Sequence, residues 1–100
     1  MILYNNSADD LKAVYEQLKD RYELVLTNTF ALENGYEDFR EDFEIICGKS
    51  SAGKFQIWHN GCMFVFDVDK ADGTYTHWHP ADIEDLVEVI REFMQGRCKY

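Results

Sequence analysis

Proline occurs once in this chain of 100 residues, cysteine three times and glycine six times. No apolar run approaches the roughly 18–20 residues that a membrane-spanning helix needs. The cysteines, Cys47, Cys62 and Cys98, are odd in number and widely spaced. They do not form the framework that staples small secreted domains, so a reducing, cytoplasmic setting is expected. The first residues, MILYNNSADD, carry no basic stretch and no long apolar stretch, so a signal peptide is not expected. Cations are scarce as well. Ten Lys and Arg stand against 19 Asp and Glu, a net charge of −9. Nucleic acid is excluded as a partner, because phosphate binding relies on Lys and Arg. Anionic membrane surfaces are excluded for the same reason.

What the chain has in quantity is apolar and aromatic side chains, 46% and 15% of residues, too many for a disordered acidic tail. No repeat, linker or low-complexity stretch divides it, so residues 1–100 are expected to form one domain.

Residues 7–21 read as a helix. Ser7 is placed to cap it, Asp10 stands where a capping-box acid belongs, and Leu11, Val14, Tyr15, Leu18 and Tyr22 draw one apolar stripe. The period then shortens. Tyr22, Leu24, Leu26, Phe30 and Leu32 fall on alternate positions around Asn28, the pattern of a strand with one buried face. Asn34-Gly35 marks a turn. Tyr36 to Glu44 fits a short helix through Tyr36, Phe39 and Phe43, or the start of a strand through Phe43, Ile45 and Cys47.

Phe55 to His59, Asn60-Gly61 and Cys62 to Phe66 spell a hairpin. A two-residue turn sets His59 opposite Cys62, Trp58 opposite Met63 and Ile57 opposite Phe64. Phe55, Ile57, Phe64, Phe66 and Val68 then share the core face, while Gln56, Trp58, Met63, Val65, Asp67 and Asp69 share the other. Asp72-Gly73 predicts a second tight turn into a strand from Thr74 to Trp78. A last helix is expected from Pro80, with Ile83, Leu86, Val87, Ile90, Phe93 and Met94 as its stripe and Gly96 as its cap. The fold class is α+β: two layers, an antiparallel meander of three to five strands packed with an N-terminal and a C-terminal helix.

Four constellations bear on chemistry. Gly48 to Phe55 (GKSSAGKF) nearly spells a phosphate-binding loop, but Phe55 replaces the hydroxyl that would hold Mg²⁺ and a strand follows where a helix is required. It reads as a hairpin connection. His77 and His79 sit at a spacing that can give one metal two ligands, with His59, Asp67 or Asp69 as the possible third. In a two-residue Asp72-Gly73 turn, however, His77 pairs with Val68 and His79 with Phe66 on the core face, away from both aspartates. His59 and Cys62 face each other across the first turn, yet nothing orients them as a nucleophilic pair. Cys62 and Cys47 read as small buried side chains. No catalytic set and no cofactor are called for.

The carboxylates form the largest group. Glu33, Glu37, Asp38, Glu41, Asp42 and Glu44 crowd one stretch with only Arg40 to offset them. Asp82, Glu84, Asp85, Glu88 and Glu92 lie on the last helix and read as its solvated face. On the second sheet face Trp58, Met63, Val65 and, in the assumed register, Trp78 make an apolar patch beside Asp67 and Asp69. Aromatic anchors beside acids fit a protein-binding surface. The expected binding residues are Tyr36, Glu37, Asp38, Glu41, Asp42, Trp58, Asp67, Asp69 and Trp78, and the expected partner is a basic protein. Self-association through the Trp58 face and a metal site at His77 and His79 are the alternatives. The profile is similar in type to that of small bacterial immunity and inhibitor proteins, though no motif is shared with them.

Overall fold

The computed structural model describes residues 5–28 and 44–99. Phe30, Leu32, the Asn34-Gly35 turn and the stretch from Tyr36 to Phe43 lie outside them. Among the described residues the chain forms α1 (Asp9–Leu18), β1 (Val25–Thr27), β2 (Ile45–Ser50), β3 (Gly53–His59), β4 (Phe64–Lys70), β5 (Tyr75–Trp78) and α2 (Ile83–Met94). The five strands pair antiparallel in chain order, β1 to β5, as one meander. This is the expected α+β fold with a helix at each end.

Both helices lie on one face of the sheet. Leu11, Val14 and Leu18 of α1 and Leu86, Val89, Ile90 and Phe93 of α2 bury against Ile46, Phe55, Ile57, Phe64, Phe66 and Val68. At the centre Phe55, Phe66 and Phe93 pack as a ring triad, with centroids 5.1–6.0 Å apart. The core face of the hairpin is the expected one. Val89 takes the inward position of α2, and Ile83 and Val87 sit half-buried on its flank.

The ends of α2 are set by local hydrogen bonds. Asp82, three residues earlier than Asp85, accepts the Asp85 N–H at 2.8 Å, and the Asp85 carboxylate reaches back to the Ala81 N–H at 3.0 Å. This reciprocal box starts the helix at Ile83, later than Pro80 would have it. Gly96, at φ 88°, ends it where expected. The Gly96 and Arg97 N–H groups return to the Phe93 and Glu92 carbonyls, both at 2.9 Å. In α1 the Asp10 carboxylate accepts the Ser7 N–H at 2.7 Å, one half of the expected box.

Two turns differ from expectation. The loop between β3 and β4 holds four residues, because Asn60 Oδ1 accepts the N–H groups of both Cys62 and Met63 and folds the chain around its own side chain. His59 therefore pairs with Phe64 and Trp58 with Val65. The shift is even, so no side chain changes face. Cys62, expected to be buried, is exposed in the loop. Between β4 and β5 the loop is Ala71-Asp72-Gly73, with Gly73 at φ 91° and the Lys70 N–H on the Thr74 carbonyl. A three-residue turn ending in a left-handed glycine is a standard hairpin closure. Here the shift is odd and β5 turns over: His77 pairs with Asp67, Thr76 with Val68 and Trp78 with Phe66.

The GKSSAGKF stretch is a hairpin, as expected. Ser50 pairs with Gly53, and Ser50 Oγ donates to the Phe93 carbonyl at 2.6 Å, tying the β2 end to the last turn of α2.

Candidate functional site

The face of the sheet away from the helices carries a buried polar group. Asp67, fully buried on β4, accepts Trp58 Nε1–H at 2.9 Å and the Gln56 amide at 3.3 Å on one oxygen, and the Tyr75 hydroxyl at 2.5 Å on the other. Gln56 is its partner across β3–β4, and Tyr75 reaches it diagonally from β5. Three neutral donors spread over two oxygens satisfy a carboxylate without a cation. Beside it Ile45, Trp58 and Val65 form a second apolar cluster with half-buried Cys47, to which neither helix contributes. Burial pushes the Cys47 thiol pKa up, which keeps it protonated and unreactive.

This arrangement corrects two expected binding residues. Trp58 is 1% exposed and Asp67 is fully buried, so neither presents itself to a partner. The indole N–H is used on Asp67 and its ring is used in the cluster. Asp69, also expected at the surface, is half-buried with one carboxylate oxygen enclosed and unpaired. Trp78 does stand out, at 41% exposed, but on the opposite face from Trp58 because β5 is turned over. Tyr36, Glu37, Asp38, Glu41 and Asp42 lie outside the described residues.

His77 lies on the Asp67 face of β5 and His79 just beyond the strand, with ring centroids 5.3 Å apart, edge to face. His79 Nδ1 lies 3.1 Å from the Phe64 carbonyl, a contact in which the ring N–H donates. The Asp67 carboxylate, nearest in register to His77, is taken up by Gln56, Trp58 and Tyr75. Among the described residues no three His, Cys, Asp or Glu converge as metal ligands. His59 is 5% exposed and held by Asn6, while Cys62 lies out in the loop, so the two make no nucleophilic pair.

The acids of α2 have a setting that periodicity did not reveal. A groove of about 470 Å³ runs along this helix, with Ile83 and Val87 as its apolar side and Glu84, Glu88 and Glu92 as its acidic rim; Gln17 of α1 closes it, and Arg91 is its single basic group. Two of the rim acids already hold basic groups. Arg97 Nε meets Glu92 at 2.6 Å and Lys99 Nζ meets Glu88 at 3.4 Å. The guanidinium of Arg97 holds the Glu92 carboxyl below its ordinary pKa. The signal available in sequence was the width of the α2 stripe: with Val89 included, more apolar residues are present than one buried face can take.

No protein-family model, no curated protein and no solved structure matches the chain. Among the described residues no helix is long and apolar enough to cross a membrane.

Proposed function

We propose that this chain is a non-enzymatic, cytoplasmic binding protein that docks a basic protein and blocks it, in the manner of small immunity and inhibitor proteins. The observation that carries the reading is the α2 groove. Apolar Ile83 and Val87 lie beside a ridge of three glutamates, a surface suited to a basic, amphipathic segment. The ion pairs of Glu88 and Glu92 with Lys99 and Arg97 are models of the contacts such a segment would make. The charge of −9 would steer a basic partner from a distance and raise its association rate. The acid-rich stretch Glu33–Glu44 adds to the same field, and Trp78 is the exposed aromatic anchor. Three free thiols suit a reducing compartment.

The test is affinity capture by the wild type and by two charge reversals, Glu84→Lys with Glu88→Lys, and Glu37→Lys with Asp38→Lys, Glu41→Lys and Asp42→Lys. A stoichiometric basic protein retained by the wild type at low salt, released at high salt and lost by the first variant supports the reading. Retention by both variants removes electrostatic docking as its basis.

A further inference from the structure

The chain that follows α2 turns back on the helix it leaves. Gly96 reverses its direction, and the Arg97 N–H returns to the Glu92 carbonyl. From there its side chains engage the lining of the α2 groove. Arg97 Nε meets Glu92 at 2.6 Å, and a second nitrogen of the same guanidinium donates to the Gln95 side chain. Two residues on, Lys99 Nζ meets Glu88 at 3.4 Å. Cys98, between them, packs half-buried against the main core. Glu88, Glu92 and Gln95 all line the groove, so this stretch of chain already holds part of it.

The contacts have a definite spacing. Arg97 to Lys99 is two residues of chain, and Glu92 to Glu88 is four residues of helix taken in the opposite direction. Four helical residues rise about 6 Å, and two residues of extended chain rise about 6.6 Å. An extended segment antiparallel to α2 therefore sets a cation over each acid of the ridge when its cations stand at every second position. The residue between them faces the other way, as Cys98 does here. Glu84 is the next acid on the ridge, and among the described residues it forms no ion pair. A third cation fits there.

Resting on the α2 groove as the docking site, we infer that the partner presents an extended segment, antiparallel to α2, with three cations at alternate positions. Arg97–Lys99 is its internal competitor and holds two of the three acids until the partner arrives. The four paired side chains keep 36–60% of their surface exposed, and exposed ion pairs are individually weak, so the stretch yields to a segment with three cations. Being tethered, it is present at high effective concentration and turns away basic segments that match fewer acids.

Fluorescence anisotropy at low salt tests this with two labelled, end-blocked peptides of one composition, Lys-Val-Lys-Val-Lys and Lys-Lys-Lys-Val-Val. The alternating peptide is expected to bind about threefold tighter or more, and to be released at high salt. Arg97→Gln with Lys99→Gln should tighten it by about two- to tenfold, the range for two exposed ion pairs. Lys49→Gln with Lys54→Gln removes the same charge from the sheet face away from the helices and should tighten it clearly less. Circular dichroism checks that each variant folds. Equal binding of the two peptides, no salt-sensitive binding of the alternating one, or a gain no larger than that of the Lys49/Lys54 control overturns the inference. Glu84→Lys with Glu88→Lys separates it from the reading on which it rests. Binding that survives this variant removes the groove as docking site and the inference with it. Binding lost there but unmoved by the Arg97/Lys99 variant removes the inference alone.

Discussion

Asn6 Oδ1 lies 2.7 Å from Nε2 of His59, and the other ring nitrogen, Nδ1, accepts the Gly61 N–H at 3.1 Å. A carbonyl oxygen on one side and an N–H on the other leave His59 one role at each nitrogen. Nε2 carries the proton and Nδ1 carries the lone pair, so the folded ring is neutral. The Asn6 amide also donates to the Ala81 carbonyl at 3.1 Å, and the Asn5 N–H bonds the same carbonyl at 2.9 Å. The chain before α1, the end of β3 and the approach to α2 are thus joined at one histidine.

Stability should therefore fall on mild acidification. Burial lowers the His59 pKa below its ordinary value of 6.5, with Asp10 opposing in part. In the unfolded chain His59 titrates near 6.5, so below that pH the unfolded state takes up a proton the folded state refuses. The contribution is complete above about pH 6.5 and is lost progressively as pH drops toward and through the lower folded value. Urea unfolding at pH 7.5 and 5.5 measures it. The midpoint of the wild type should drop, and that of His59→Gln should drop less. Equal losses would place the proton uptake on other groups.

Leu86 is fully buried where α2 meets the sheet. Leu86→Ala should cost about 2–5 kcal/mol, the range for removing a core leucine. Val87→Ala, one residue on and half-buried in the groove wall, should cost clearly less. Equal costs would mean that α2 is rotated about its axis from the orientation described.

Gly53 and Gly73 both hold positive φ, 134° and 91°, but for different reasons. At Gly73 no atom lies within 4 Å of an added Cβ, so Gly73→Ala pays for backbone strain alone, about 1 kcal/mol. At Gly53 the Cβ would press on the Asp69 carbonyl and on Lys70 Cα at 2.9 Å, both backbone atoms of the neighbouring strand. Gly53→Ala should therefore cost about 3 kcal/mol or more, from strain and forced strand separation together. Thermal unfolding of the two variants side by side checks the ordering.

Much of the fold was legible because period and parity survive small errors. The core set Phe55, Ile57, Phe64, Phe66 and Val68 holds despite a loop longer than expected, since the pairing moved by an even number of residues. The Ala71–Gly73 turn was less forgiving. One added residue exchanged the faces of Tyr75, Thr76, His77 and Trp78, and turn length is not fixed by an Asp-Gly pair alone. Trp58 was misplaced for another reason. A tryptophan alternating with Gln56 and Asp67 looks like an exposed anchor, whereas here those same polar residues make its burial possible. The acids of α2 were visible as acids. Their place beside Ile83 and Val87 depends on which apolar residues α1 and the sheet leave half-covered, and that is decided by packing.

The β4–β5 register can be tested through Asp67 and Tyr75. With the three-residue turn the Tyr75 hydroxyl donates to Asp67 Oδ1. With a two-residue turn Tyr75 would leave the opposite face of the sheet and could not reach that carboxylate. Tyr75→Phe keeps the ring and removes only the hydroxyl of a side chain that is 37% exposed, so its cost should be about 1 kcal/mol, the usual net contribution of one hydrogen bond. In a double-mutant cycle with Asp67→Ala the two substitutions should couple by about 0.5–1.5 kcal/mol. Thr76→Val, on the other face, should show no coupling to Asp67. A cycle in which Tyr75 and Asp67 add independently, with Thr76 coupling instead, would restore the shorter turn and place His77 back among the core residues.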